Sequence, residues 1–282
     1  MASFKEVLRE AQARMEEADL GEQAALLYLL ELTNKEAHNL YMEFEEEMPS
    51  ALQQEYEKGL TQLLEGKPLS YILGYTWFYG YQMKVNEDVL IPRPETEELV
   101  SHILVAYDEH FSEAEEVVAV DIGTGSGAIA ITLKKEEPRL QMYASDISSS
   151  AIEVAKENAQ KNEAEVTFMV GNMLDPMIEK GIKVDFLISN PPYIPQEEEI
   201  EDSVLHFEPH LALFGGEDGL KFYREIFQKA PSILKEKAIL AFEIGYLQKE
   251  ILMQEAKAAF PHAKVEVLKD INEKDRMLFI YI

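Results

Sequence analysis

Apolar residues near the start of the chain return at helical spacing. Phe4, Val7, Leu8, Ala11 and Met15 fall at i, i+3, i+4, i+7 and i+11, and Leu52, Tyr56, Leu60, Leu63 and Leu64 form a later stripe of the same kind. Between them Thr33-Asn34-Lys35-Glu36 has the form of a capping box, which predicts a middle helix opening there. Residues 1 to about 65 are therefore expected to form a small helical bundle. From about 66 to 95 the pattern changes to aromatics alternating with glycines, among them Tyr75, Trp77, Phe78, Tyr79, Gly80 and Tyr81, which predicts a β-hairpin linker. Beyond Thr96 short apolar runs alternate with helix-length stretches. The runs predict strands near 117–121, 141–145, 165–170, 184–189 and 238–244, with a terminal pair near 264–269 and 276–282. That alternation belongs to an α/β fold, a Rossmann-like doubly wound sheet of seven strands with an added antiparallel edge. The expected domains are 1–65, 66–95 and 96–282.

Composition narrows the chemistry. The 282 residues are 46% apolar, ample for a core, and include no cysteine, which removes disulfides, thiolate catalysis and cysteine zinc sites. The six histidines show no metal-ligand spacing; His206 and His210 are four apart but lack a third ligand, so no metal site is expected. No apolar h-region opens the chain and no eighteen-residue apolar stretch occurs, so a cytoplasmic protein that does not cross a membrane is expected. Charge is more selective. With 26 basic and 53 acidic residues, net −27, the chain would be repelled by a phosphate backbone, and no direct contact with nucleic acid is expected. Acidic runs such as Glu43 to Glu47 and Glu197 to Asp202 read individually as solvated faces, and together they suit a basic protein partner.

Three motifs carry chemistry. Val117 to Ile122 is a β-branched strand entering a turn with glycines at 123, 125 and 127, followed by the apolar helix start Ala128 to Leu133. The spacing G-x-G-x-G suits close approach of a ligand to the backbone, and a plain tight turn reads equally well. Asp146 follows nineteen residues after Gly127 at the end of the next strand, where a carboxylate can accept both hydroxyls of a ribose or cap the helix from Ser148. Asn190-Pro191-Pro192-Tyr193 ends the run Val184 to Ser189. A stiff turn there offers a side-chain carbonyl and a backbone carbonyl that can hold the two hydrogens of a planar NH2 group, with Tyr193 as a wall. The competing reading is a strand end with a Pro-Pro stop. Asp185 and Glu243 read as structural.

The order of glycine turn, acid and NPPY resembles that of class I methyltransferases that methylate an amino or amide nitrogen. That resemblance implies S-adenosylmethionine as cofactor, held by Asp121, Gly123, Thr124, Gly125, Ser126, Gly127, Asp146 and Asn190. It also places the adenine beside Gly171-Asn172-Met173, Asn172 bonding the exocyclic amine and Met173 covering the ring face. Further motifs, Pro68 to Gly74, Phe78-Tyr79-Gly80, Val89 to Glu97, Glu208-Pro209 and Ala212 to Leu220, resemble one subfamily, the glutamine methyltransferases that act on class-1 peptide chain release factors. Some of its members carry an aromatic where Met173 stands. The resemblance implies transfer of a methyl group to the side-chain N5 of a glutamine in a Gly-Gly-Gln motif. Asn190, Pro191, Pro192 and Tyr193 would be the catalytic turn, Leu90 and Pro92 the opposite wall, and no general base would be needed. A monomer whose helical domain recognises the release factor is expected. Other protein glutamines, or adenine N6 in nucleic acid, are the alternative substrates, the latter opposed by the charge.

Overall fold

The structure, a computed structural model, describes residues 2–282 in two compact units. One unit runs to Gly74 and takes in Glu201–Phe207; the other comprises Tyr75–Ile200 and Glu208–Ile282.

The first unit holds helices α1 (Phe4–Glu17), α2 (Gln23–Thr33), α3 (Ala37–Met42), α4 (Ser50–Leu64) and α5 (Leu69–Leu73), joined by Asp202–Phe207, which is α10 in chain order. The stripe Phe4, Val7, Leu8, Ala11 and Met15 is the buried face of α1. A capping box opens that helix: Ser3 Oγ accepts from the Glu6 N–H, and the Glu6 carboxylate accepts from the Ser3 N–H at 2.9 Å. The box expected at Thr33–Glu36 does not form. Thr33 is instead the last residue of α2, its hydroxyl donating to the Leu29 carbonyl at 2.8 Å, and Asn34 ends the helix at φ 51°, a left-handed position asparagine tolerates. α3 starts later, at Ala37, without a side-chain cap. Gly59 lets α4 approach α2, because a Cβ there would lie 2.2 Å from the Tyr28 ring. Leu69–Leu73 is helical up to Gly74, so the β-hairpin is confined to β1 (Tyr75–Phe78) and β2 (Tyr81–Lys84). Its two-residue turn, Tyr79-Gly80 at φ 52° and 79°, has the positive φ pair that matches strand twist, and the Tyr79 N–H donates to Glu97 at 2.8 Å.

The second unit is built on strands β3 (Val117–Ile122), β4 (Leu140–Asp146), β5 (Val166–Val170), β6 (Val184–Ser189), β7 (Leu234–Glu243), β8 (Lys264–Lys269) and β9 (Asp275–Tyr281), in the order β5-β4-β3-β6-β7-β9-β8. Pairing is parallel from β5 through β7, and β9 is antiparallel to both its neighbours. The expected α/β class and seven strands are those observed. β7 begins earlier than its apolar run because Lys235, Glu236 and Lys237 extend it with polar residues. Helices α6 (Pro94–Phe111), α7 (Ala128–Glu136), α8 (Ser149–Lys161), α9 (Asp175–Lys180), α11 (Lys221–Lys229) and α12 (Lys249–Ala259) accompany the sheet. Two apolar clusters cover it, one including Leu99, Ile103, Ile131 and Phe186, the other Val120, Leu187, Tyr223 and Phe242. β3 and β6 are buried along their whole length, as central parallel strands must be. Among the described residues no helix is long and apolar enough to cross a membrane.

Candidate active site

Strand register decides which residues leave the sheet together. Ile122 pairs with Ser145 on β4 and with Ser189 on β6, Asp146 pairs with Val170, and Ser189 pairs with Phe242. The carboxyl edge therefore carries, in strand order, Gly171, Asp146, Gly123, Asn190 and Glu243. The chain winds outward from β3 to β5 and returns to β6 on the other side of β3, so the switch point lies between Gly123 and Asn190, where open parallel sheets bind ligands. The Ser189 hydroxyl fastens the two strand ends by donating to the Ile122 carbonyl at 2.6 Å. A cavity of about 440 Å³ opens there, a size suited to a small molecule.

The three glycines of the turn have different tasks. Gly123 and Gly125, at φ 72° and 54°, line the cavity, and a Cβ on either would meet nothing within 4 Å. Gly127 lies outside the lining: a Cβ there would fall 2.9 Å from Ile131 Cδ1 and 3.1 Å from Ala155 Cβ, so its bareness lets α7 pack on α8. Thr124 and Ser126 are buried rather than cavity-lining. The Thr124 hydroxyl donates to Asp121 Oδ2 at 2.6 Å, and the Ser126 carbonyl accepts from Asn158 at 2.9 Å. Asp121 is wholly buried, and burial pushes its carboxyl up to about 7. The hydroxyl of Thr124 and the backbone of Ala130 oppose that rise, while the charge of Asp146 adds to it.

Asp146 lines the cavity without capping α8; Ser148 does that, accepting from the Ala151 N–H. Each Asp146 oxygen takes one backbone donor, Oδ2 from Gly125 and Oδ1 from Ser148, both at 2.9 Å. Burial raises this carboxyl, and the N–H groups of Ser148, Gly125 and Ile147 restrain the rise. Asn172 and Met173 also line the cavity. Asn172 donates its amide N–H to Glu225 Oε1 at 2.8 Å, and Lys229 holds Glu225 at 3.0 Å and Asp175 at 2.7 Å.

Of the NPPY turn, Asn190 and Pro192 reach the cavity, whereas Pro191 and Tyr193 do not. Asn190 Nδ2 donates to Thr96 Oγ1 at 3.2 Å, and Thr96 donates to Glu243 Oε2 at 2.6 Å. The Tyr193 hydroxyl donates to the other oxygen of Glu243 at 3.2 Å. Behind the turn, Gln248 Nε2 donates to the Tyr193 carbonyl at 2.9 Å. Gly215 and Gly219 admit the turn: a Cβ on the first would lie 2.5 Å from the Pro192 carbonyl oxygen, and on the second 2.2 Å from that of Tyr193. On the facing loop Leu90 lines the cavity and Pro92 does not. Buried Glu208 accepts from the Ile91 N–H at 3.2 Å and pairs with Arg93, so the two loops flanking the cavity are tied together.

The sequence assigned no individual role to Thr96 or Glu225, and it read Glu243 only as structural. Glu243 had a readable signal, since it ends the apolar run Ala238 to Phe242 as Asp146 and Asn190 end theirs. Glu225 had none beyond its i,i+4 spacing from Lys229 on α11. Asp185 lies at the opposite end of β6, where it accepts from the Val118 N–H at 2.8 Å and from Lys235 at 2.7 Å, a sheet-bracing position.

Comparison with known proteins adds to this geometry. Residues 100–207 match the family model described as methyltransferase small domain, and residues 6–74 the PrmC N-terminal domain. The chain is 45% identical over 279 residues to a release factor glutamine methyltransferase of Bacillus anthracis, covering 98% of each. It is 43% identical over 280 residues to the protein of that name in Bacillus subtilis, covering 99% of this chain and 97% of the other. The crystal structure of a methyltransferase from Pyrococcus furiosus superposes with a TM-score of 0.53 over 80% of this chain and 98% of that one, at 16% identity, a likeness of fold alone.

Proposed function

We infer the function from one premise: the chain belongs to the family of release factor glutamine methyltransferases. It is an enzyme that methylates the side-chain amide of a glutamine in peptide chain release factors, with S-adenosylmethionine as methyl donor. The observation that carries the residue-level reading is the adjacency of Gly123 and Asn190 at the switch point, with Asp146 one strand away.

The cavity fits an adenosyl ligand. Asp146 has a lone pair left on each oxygen for vicinal ribose hydroxyls, Gly123 and Gly125 leave room for close approach, and Met173 offers a polarizable apolar surface. With its NH2 committed to Glu225, Asn172 turns a carbonyl toward a donor such as the adenine amine. Asp121, Thr124, Ser126 and Gly127 act one layer back, by shaping the turn.

S-adenosylmethionine, held by these residues, would supply an electrophilic methyl group, its sulfur keeping the bonding electrons as the thioether, and the amide would give up one N–H proton to solvent. The protein supplies orientation. A carboxamide nitrogen is a weak nucleophile because its lone pair is shared with the carbonyl, so its approach must be fixed. Asn190 Oδ1, on the cavity wall, accepts one N–H, and the Pro191 carbonyl, just outside the lining, is the acceptor that the family resemblance implies for the other; together they aim the face of the nitrogen, while Pro192 stiffens the turn and Leu90 bounds the opposite side. Orientation of this kind contributes on the order of 7–11 kcal/mol. Tyr193 serves from behind, anchored by Glu243. The helical unit recognises the protein substrate, and the chain works as a monomer in the cytoplasm without touching nucleic acid. Labelled cofactor, a release factor and peptide mass spectrometry test the reading: label on a glutamine amide supports it, and label elsewhere or none overturns it.

A further inference from the structure

Glu243 sits at the carboxyl end of β7 with 2% of its surface exposed, beside the catalytic turn yet apart from the cavity. What faces it is fully specified. Thr96 from α6 and Tyr193 from the turn each donate a hydroxyl to it, Tyr223 from α11 donates to its backbone carbonyl at 2.7 Å, and Arg276 from β9 supplies positive charge against the negative charge of Glu95. Burial raises the Glu243 carboxyl, and the Thr96 hydroxyl, the Arg276 charge and the Tyr193 hydroxyl oppose that rise; with one hydroxyl aimed at each of its oxygens, the carboxylate accepts both bonds and donates none. Thr96 has one hydroxyl hydrogen, and it is spent on Glu243; toward Asn190 it can show only a lone pair.

An asparagine amide has nearly the same shape with its oxygen and nitrogen exchanged, so packing alone does not orient it. A lone pair on Thr96 does. Asn190 must turn its NH2 to Thr96, as the 3.2 Å bond has it, and its carbonyl oxygen then faces away from Thr96. The chain of bonds runs one way, Asn190 to Thr96 to Glu243. Were Glu243 replaced by a group able to donate, Thr96 could be the acceptor there and the donor to Asn190, and the amide could turn over. The site would then offer an N–H where it had offered a carbonyl oxygen.

We propose that Glu243, acting through Thr96, is the positioning residue that fixes the polarity of the Asn190 amide and so makes the site choose a carboxamide over the matching carboxylate. The inference rests on Asn190 being the acceptor for the substrate amide. A carboxamide brings two donors to that acceptor; a carboxylate brings only lone pairs, and each faced pair of acceptors is repulsive.

The test compares binding of a release-factor peptide carrying glutamine with the same peptide carrying glutamate, both in the presence of S-adenosylhomocysteine, together with turnover of the glutamine peptide. Wild type should bind the glutamine peptide at least about 10-fold more tightly, the value of one hydrogen bond of ordinary strength. Glu243→Gln and Thr96→Val should each shrink that ratio by roughly 10-fold and lower kcat by about 10- to 100-fold, with S-adenosylhomocysteine affinity unchanged. Thr96→Ser, which restores the hydroxyl on a smaller side chain, should recover the ratio. If Glu243→Gln and Thr96→Val keep the wild-type ratio, or if Thr96→Ser is as impaired as Thr96→Val, the polarity argument is wrong while the clamp can stand. If wild type itself shows no preference, the clamp reading fails first and takes this inference with it.

Discussion

Asp146→Asn is the sharpest single test of the cofactor site, because the structure fixes what the replacement must do. Both carboxylate oxygens already accept a backbone N–H, from Gly125 and from Ser148, each at 2.9 Å. An asparagine keeps only one acceptor oxygen. Whichever way its amide turns, the NH2 confronts either Gly125 N–H or Ser148 N–H, and one of the two ribose hydroxyls loses its partner. The backbone confrontation exists with or without ligand, so it lowers stability; the lost hydroxyl bond falls on affinity. A hydrogen bond to a charged acceptor is worth about 1.5–3 kcal/mol, so Kd should rise roughly 10- to 150-fold. Calorimetry with S-adenosylhomocysteine is the right first assay, since that ligand lacks the sulfonium charge and the lost negative charge of Asp146 then contributes little. The 2′-deoxy and 3′-deoxy analogues complete a cycle: each should bind wild type more weakly than the parent ligand, and one of the two should bind Asp146→Asn about as well as the parent does. An unchanged Kd, or penalties for both analogues as large on the variant as on wild type, would show that Asp146 shapes the glycine turn and does not hold the sugar.

Asn190→Ala should lower kcat by roughly 1000-fold or more through lost orientation, while S-adenosylhomocysteine binds within about threefold of wild type by calorimetry; near-normal turnover would remove the clamp. Gly219→Ala places a Cβ 2.2 Å from the Tyr193 carbonyl oxygen at φ 75°, so the melting temperature should fall by at least about 4 °C, and an unchanged melt would refute the packing argument. Asp121→Asn tests the buried acid: a carboxyl at about 7 in the fold against 3.8 unfolded keeps its proton longer when folded, so stability is lost as pH rises through that window and stays lost above it. The melting-temperature advantage of the variant should therefore widen by a few degrees from pH 5 to pH 7.5, and a constant difference would mean that Asp121 ionises normally. Finally, kcat/KM for a whole release factor should drop as salt rises from about 0.05 to 0.5 M, with screening lengths shrinking from roughly 14 to 4 Å, and the peptide reaction should stay nearly flat. Equal salt dependence for both would remove acidic steering.

The strands were legible because a central parallel strand announces itself as an unbroken apolar run, and β3 and β6 are buried throughout. Each chemical residue at the carboxyl edge simply ends such a run. Helix boundaries were less legible where polar side chains have two uses. Thr33 and Ser3 both stand three residues before a glutamate, yet Ser3 opens a helix and Thr33 closes one, because the left-handed turn at Asn34 follows Thr33 at once. The bonds that orient the site were not legible at all. Thr96 and Glu243 are 147 residues apart, and only the register of β6 on β7 sets Glu243 beside Asn190. The glycine turn shows the same limit in reverse: three glycines look alike in sequence, and only the packing of α7 on α8 separates Gly127 from the two that face the cavity.

One device recurs across the site. Asn172 and Asn190 are both amides with no intrinsic direction, and each has its NH2 drawn away by an acid, Glu225 directly and Glu243 through Thr96. Asp146 presents spare lone pairs on oxygens whose other lone pairs take Gly125 and Ser148. At these three residues the donors are consumed inside the protein, and what they offer ligands is acceptors. Ribose hydroxyls, an adenine amine and a carboxamide are all donors; a carboxylate set against these three residues meets only acceptors, so the cofactor's own carboxylate belongs elsewhere in the cavity, whose lining includes Lys221. An unmet polar group costs about 1–3 kcal/mol, so a few such mismatches give large discrimination without any steric wall. The net charge of −27 acts in the same sense at longer range, so that anionic partners are disfavoured on approach as well as at these three residues.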